Sequence, residues 1–362
     1  MKFTKLKKIF TAGALGFSLI FSAPTAMAAD IGSIIGIGAA IISGSAQMNQ
    51  AKKQIEVLNN TEEGRQYLYQ AFREKYGVNT DANLNARLDK IMSDLTNAVG
   101  QVDPTIYDKP YLYFVSADKT LNAACGMGHV MMVNTGAFDL LGSDDELAAI
   151  VGHEMGHGQK DHVAKGTKKA INKQTLAQIG VSAAGGGTLA GVIGTIALTN
   201  SVAHGDRKHE TEADNLAWEY ILHTNYNPGA CAAAMQRLAE LYGEKNKSSL
   251  LNPSDHPDTD KRRNSYQKKL EEYSGNVVSV NNGAVTVNGK TLTYVAATPR
   301  MSSVERAYFV MGNLATAFHN KKNFYDATVE GDTVYLGDQP IIEVAEGDES
   351  AEAIAERLNN IK

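Results

Sequence analysis

The five residues His153-Glu154-Met155-Gly156-His157 constrain this chain more than any other stretch. Ser143-Asp144-Asp145-Glu146, ten residues earlier, reads as a capping box and predicts a helix running to about Lys168. Inside a helix, residues four apart share a face, so both imidazoles point at one place. Neutral imidazole suits zinc, and Glu154 lies beside His153, where it can reach a water on the metal. By chance such an H-E-x-x-H arises in roughly one per cent of chains of this make-up.

A catalytic zinc needs a third protein ligand and an open fourth position. Glu210-Thr211-Glu212-Ala213-Asp214 supplies candidates on a helix predicted over about Arg207 to Leu222. Glu210 and Asp214 are four apart and share a face. Glu210 is therefore assigned as third ligand. Asp214 is assigned as the carboxylate that orients one histidine, since ligating imidazoles usually donate their other N–H to such a group. Glu212 is the competitor for the metal but points to a different face from Asp214. Of the nearby histidines, His162 falls five residues past His157 and is expected to face away from the metal. His204 and His209 are expected to face solvent or make ordinary hydrogen bonds.

This pairing also limits what lies between the two motifs. Leu176 to Ala203 is 28 residues without a formal charge and contains Gly187-x-x-x-Gly191, so by length it resembles a membrane helix. One crossing would put His157 and Glu210 on opposite sides of the membrane, and two need about 40 residues plus a turn. The tract is therefore read as a buried or surface-lying helical hairpin broken at Gly185-Gly186-Gly187, with peripheral membrane contact left open and no transmembrane span. The Gly-punctuated apolar run from Ile31 to Ala46 is likewise short for a span.

The N-terminus carries Lys2, Lys5, Lys7 and Lys8, then the uncharged run Ile9 to Phe21, then Ala26-Met27-Ala28. This is the pattern of a cleaved export signal over residues 1–28. Its removal takes away four Lys and no acid, moving the net charge from −5 to −9. No Cys follows the apolar run, so a lipid anchor is not supported. An acidic chain with 43% apolar residues can bury a core and has no basic face for nucleic acid. Export leaves open whether Cys125 and Cys231 pair.

Helices are expected over Thr61–Gly77 and over Thr80–Gly100, the second with Thr80 as its N-cap and Leu84, Leu88, Ile91, Leu95 and Val99 at helical spacing. Tyr111–Val115 and Val130–Val133 read as short strands, and Asn227-Pro228 opens a further helix. After Tyr273 the texture changes to Val/Thr-rich strands cut by Asn282-Gly283 and Asn288-Gly289, both hairpin turns. A helix from Ser302 to about His319, three more strands and a closing helix over Asp348–Ile361 follow. The expected fold is α+β: a mainly helical zincin-like domain over residues 29–273 with a small antiparallel sheet, and a small α+β accessory domain over 274–362.

The chain resembles peptidase family M48. Asp145-Glu146-Leu147-Ala148-Ala149-Ile150-Val151-Gly152 leads into the histidine motif as it does in that family, and Arg207-x-x-Glu210-x-x-Ala213-Asp214 matches its second motif, with Asp206 where a Ser is usual. Asn122-Ala123, Gly128-His129-Val130 and Thr135-Gly136 resemble its edge-strand segment, and His256-Pro257 with Arg262 resembles its His-Pro…Arg motif. The resemblance spans roughly residues 60–272 and leaves out the C-terminal part.

It implies one zinc per chain, a periplasmic or extracellular protein of the bacterial type, and hydrolysis of peptide bonds in unfolded or envelope proteins with Glu154 as general base. His256 would donate to the oxyanion, occupy the open zinc position in a resting enzyme, or merely cap a loop. Substrate would add to the sheet at Val130, Met131, Met132, Val133 and Asn134. The alternative is a chaperone-like envelope factor with a latent or regulatory zinc site, which the intact Glu154 disfavours.

Overall fold

The computed structural model describes residues 44–172, 207–243 and 259–362. The expected export signal, the tract Leu176–Ala203, His204 and His256 lie outside these residues.

Helix α1 (Gly44–Asn60) meets α2 (Glu62–Tyr76) across Thr61 alone. The Thr61 hydroxyl accepts from Gly64 N at 3.1 Å, and a Cβ on Gly64 would lie 2.2 Å from the Val57 carbonyl oxygen, so only glycine fits this turn. Ile55, Leu58, Leu68 and Phe72 pack from these helices against Phe114, Met127, Val130 and Met132. Helix α3 (Ala82–Val102) buries Leu88, Ile91, Leu95 and Val99, as its periodicity requires. Its cap is Asp81 rather than Thr80. The Asp81 carboxylate accepts from both Asn83 N and Leu84 N, and a charge at a helix N-terminus is favoured over a hydroxyl one residue earlier.

A three-stranded sheet follows: β1 (Leu112–Ser116), β2 (Ala123–Cys125) and β3 (Val130–Asn134), in the order β1-β3-β2. The β1/β3 pair is parallel and the β2/β3 pair antiparallel, so the sheet is mixed. Val130–Asn134 is thus the central strand, buried along its whole length, and cannot be the edge at which another chain adds. Both of its rows of main-chain groups are already paired. The edge is β2.

Helix α4 (Thr135–Leu140) leads into α5 (Asp144–Gln159), capped by Ser143 as expected. The helix does not run on to Lys168. Asp161 takes a left-handed conformation (φ 50°) and turns the chain into α6 (His162–Asn172). The Asp161 carboxylate is held there by Asn59 Nδ2 at 2.9 Å and Lys109 Nζ at 3.0 Å, contacts that helical periodicity does not report. Helices α7 (Arg207–Leu222), α8 (Ala230–Tyr242) and α9 (Thr259–Tyr273) complete this half. Among the described residues, no helix is long and apolar enough to cross a membrane.

The C-terminal part has two antiparallel meanders flanking one helix: β4 (Val278–Asn281), β5 (Ala284–Val287) and β6 (Lys290–Tyr294); α10 (Ser303–His319); then β7 (Ala327–Glu330), β8 (Thr333–Leu336) and β9 (Gln339–Glu343), closed by α11 (Ala351–Ile361). Asn282-Gly283 and Asn288-Gly289 have φ of 50° and 80°, and of 50° and 73°, the left-handed pair a two-residue hairpin needs. The change of texture near residue 274 falls between α9 and β4, but the apolar core runs across it. Leu95, Leu147 and Tyr220 belong to the same buried cluster as Val285, Leu292 and Leu314.

Charge crosses this seam too. Glu146, in the first turn of α5, and Glu305, in the first turn of α10, are both fully buried, and Arg237 Nε of α8 lies 3.2 Å from Glu305 Oε1. Burial, then the Glu305 charge, pushes the Glu146 pKa up to about 8 against the pull of Arg237. A folded-state pKa raised above the ordinary value near 4.5 stabilises the fold below that value, and the contribution is lost as pH rises through about 8. Glu146→Gln is therefore expected to flatten the fall in melting temperature between pH 5 and pH 9. Parallel pH profiles for the two proteins would contradict the assignment.

Candidate metal centre

The site is built on one close helix crossing. A Cβ on Gly156 of α5 would lie 3.0 Å from the Ala213 Cα and 3.1 Å from its carbonyl oxygen, so α7 crosses α5 with almost no side chain between them. One turn further along, Gly152 faces Ala217 in ordinary contact at 3.8 Å. This closeness brings Glu210 to the histidines. His157 Nε2 lies 3.2 Å from Glu210 Oε1, His153 Nε2 lies 3.5 Å from Glu210 Oε2, and the two Nε2 atoms are 3.1 Å apart. All three residues are buried.

These donors suit a metal. Ligand atoms about 2.0–2.1 Å from one tetrahedral ion lie roughly 3.3 Å from each other. Among the described residues, His153, His157 and Glu210 form the one such donor group. The electrostatics agree. Burial and Arg262 push the His153 pKa down, yet hydrogen bonds to Asp214 and Glu210 outweigh them and hold it at about 9. The pocket favours positive charge between its carboxylates.

Asp214 lies one turn along α7 from Glu210, and its Oδ1 is 2.9 Å from His153 Nδ1. Arg262 from α9 clamps the same carboxylate, with Nε donating to Oδ2 at 2.9 Å and Nη2 to Oδ1 at 2.7 Å. The Tyr266 hydroxyl, one turn beyond Arg262, donates to Oδ1 at 2.9 Å. Burial alone would raise the Asp214 pKa, but the Arg262 charge and then His153 hold it well below the usual carboxylate range. Nothing in the sequence singles out Tyr266 except its spacing of four from Arg262.

Glu154 is buried and meets the sheet. Its Oε2 accepts from Cys125 N of β2 at 2.9 Å. Gly126 N donates to Val130 O, and Asn134 N donates to Asn122 O, so the even-numbered residues of this stretch face β3. By alternation, Ala123 and Cys125 turn their N–H and C=O groups outward, toward α5. Strand β2, with three small residues, shows no periodicity, and the Asn122-Ala123 pair at its start is its sequence cue.

His162 does not face away. The break at Asp161 brings its Nδ1 to 2.9 Å from His157 Nδ1, while its Nε2 lies 3.1 Å from Glu212 Oε2. Its ring stacks on His209 at 4.1 Å between centroids. Burial lowers the His162 pKa to about 4, although Glu212 pulls it up. His129 is buried, with its ring nitrogens at 2.8 Å from Lys109 O and 3.0 Å from Gly158 O. Cys125 and Cys231 are separate buried thiols, and burial pushes both pKa values up, which disfavours either as a nucleophile.

A model of peptidase family M48 matches residues 82–269. The chain is 28% identical over 196 residues to the metalloprotease LoiP of Escherichia coli K12, covering 52% of this chain and 73% of that protein. It is 29% identical over 146 residues to the mitochondrial metalloendopeptidase OMA1 of Arabidopsis thaliana, covering 39% of this chain and 28% of that one. Identity to a putative beta-barrel assembly-enhancing protease of Vibrio cholerae is 23% over 214 residues, or 56% of this chain and 42% of that one. The chain thus spans less than half the length of these last two relatives.

The helix crossing is open to direct test. Gly156→Val is expected to destabilise the protein by about 1–3 kcal/mol, read from the urea midpoint, and to lower bound metal by displacing Glu210. Gly152→Ala, with ordinary contacts for its methyl, should lower neither. A parental midpoint in Gly156→Val would rule the crossing out as the determinant of the site.

Proposed function

The chain belongs to peptidase family M48, a family of metal-dependent proteases, and from that premise we propose that it is an exported zinc endopeptidase of unfolded or envelope proteins. His153, His157 and Glu210 would hold one zinc ion. When bound, that ion supplies the acidity that makes water a nucleophile near neutral pH and polarises the carbonyl under attack.

Glu154 is the general base. The observation that carries this reading is its position: between the two histidines in sequence, with Oε2 held 2.9 Å from the outward-facing Cys125 N–H of the edge strand. There it takes a proton from the attacking water and returns it to the leaving amine. Asp214, oriented by Arg262, fixes the His153 ring through Nδ1 and leaves Nε2 toward the cluster.

Substrate main chain pairs with β2, whose outward groups at Ala123 and Cys125 border the base. Recognition through main-chain groups demands little of substrate sequence, as suits an enzyme of unfolded chains. His256 is proposed as the donor to the oxyanion. Residues 29–273 would form the peptidase domain and 274–362 an accessory domain that binds substrate or partner.

Export rests on the pattern of Lys2 to Ala28, and the choice of envelope substrates on one relative's name, which describes enhancement of beta-barrel assembly. Peripheral membrane contact through the Leu176–Ala203 tract fits that setting.

Replacing Glu154 with Gln tests the assignment. The variant should keep one zinc per chain, while hydrolysis of unfolded casein falls about 10²–10⁴-fold. A metal chelator should abolish hydrolysis by the parent. Parental turnover in Glu154→Gln would overturn the role of the base, and chelator-insensitive turnover would overturn the metal reading.

A further inference from the structure

The two histidines of the metal group are supported differently. His153 meets a carboxylate directly, with Nδ1 2.9 Å from Asp214 Oδ1. His157 meets another imidazole: its Nδ1 is 2.9 Å from His162 Nδ1, and His162 Nε2 is 3.1 Å from Glu212 Oε2. We propose that His162 and Glu212 form a relay that sets the tautomer and ring orientation of His157, so that a carboxylate acts on this ligand through an intervening imidazole. The proposal rests on the reading that His153, His157 and Glu210 bind zinc.

Hydrogen-bond chemistry gives the relay one direction. A carboxylate only accepts, so the Glu212 contact places the His162 proton on Nε2. His162 Nδ1 is then a lone pair. Two ring nitrogens 2.9 Å apart need one proton between them, and that proton must come from His157 Nδ1. A neutral His157 protonated at Nδ1 has its lone pair on Nε2. That is the atom lying 3.1 Å from His153 Nε2 and 3.2 Å from Glu210 Oε1.

Reversing either hydrogen bond would leave a proton on the metal-facing nitrogen. Stacking on His209, with the rings 10° from parallel, holds the His162 plane for both contacts. His162 and Glu212 stand outside the donor group of His153, His157 and Glu210. They are positioning residues. The carboxylates of the two arms also differ in exposure, with 8% of the Asp214 side chain exposed against 49% of Glu212. The His157 arm is therefore the one that ends near solvent.

The test measures zinc affinity of the full chain by competition with a chromophoric chelator, alongside melting of the metal-free protein. His162→Phe keeps a flat ring to stack on His209 but removes both nitrogens, and should weaken zinc binding about 10–100-fold. His162→Asn places an amide oxygen near the position of Nδ1 and should restore most of that loss. Glu212→Gln, an isosteric change at a half-exposed position, should fall between the parent and His162→Phe.

These losses should not follow the metal-free melting temperature, as they would if His162 only packed. Parental zinc affinity in His162→Phe, or an Asn variant as weak as Phe, overturns the relay while the parent still binds zinc. A parent that binds no zinc overturns the proposed function and the relay together. Should His162→Phe fail to fold, Glu212→Gln decides alone: weakened binding supports the relay, and parental binding overturns it.

Discussion

The crossing of α5 and α7 at Gly156 and Ala213 is the contact on which the rest of the site depends. With a Cβ of Gly156 only 3.0 Å from the Ala213 Cα, the two backbones stand as close as side-chain-free packing permits. A carboxylate side chain on α7 then spans the gap to histidines on α5. Helical spacing multiplies the effect. Once Glu210 is placed, Asp214 arrives at His153 one turn further on, and Glu212, on another face of α7, arrives at His162. Helix α9 adds Arg262 and Tyr266 to the Asp214 carboxylate from a third direction.

Burying so many ionisable groups is costly unless each charge is met by another. Here the carboxylates of Glu210 and Asp214 face His153 and Arg262, and every member of the set lies under a tenth exposed. The arrangement keeps Asp214 ionised and favours a cation among the donors. It is a poor arrangement for a hydrophobic core and a good one for holding a metal, which accounts for its position between the sheet and three helices rather than in the apolar cluster. The second buried acidic seam, Glu146 with Glu305 and Arg237, ties the start of α5 to the C-terminal helix α10. The charge of Glu305 in the C-terminal part therefore acts on the same helix that carries the histidines, at its other end.

Much of this is legible in sequence because the relevant rules are local. The i, i+4 spacing of His153 and His157, the matching spacing of Glu210 and Asp214, the Ser143 cap and the two Asn-Gly turns need only a few neighbouring residues to act. The misreadings share a cause as well. Thr80 yields to Asp81 because two short-range caps compete and charge decides. His162 is misplaced because the predicted helix is extended through Asp161, whose left-handed turn is held by Asn59 and Lys109, more than fifty residues away on either measure. Strand β2 has three residues and no pattern, and Val130–Asn134 looks like an edge only until β2 is paired with it.

By itself, then, the sequence determined the donor set and its helical spacing, which follow from residue identity over one or two helical turns, and the family to which the chain belongs, which follows from motifs spread along residues 82–269. Tertiary structure decided which strand is central, where the Glu154 carboxylate is held, and that His162 and Glu212 stand behind His157. Those outcomes depend on hydrogen bonds between segments distant along the chain. Periodicity describes the face a residue occupies on its own element; it does not describe what that face meets.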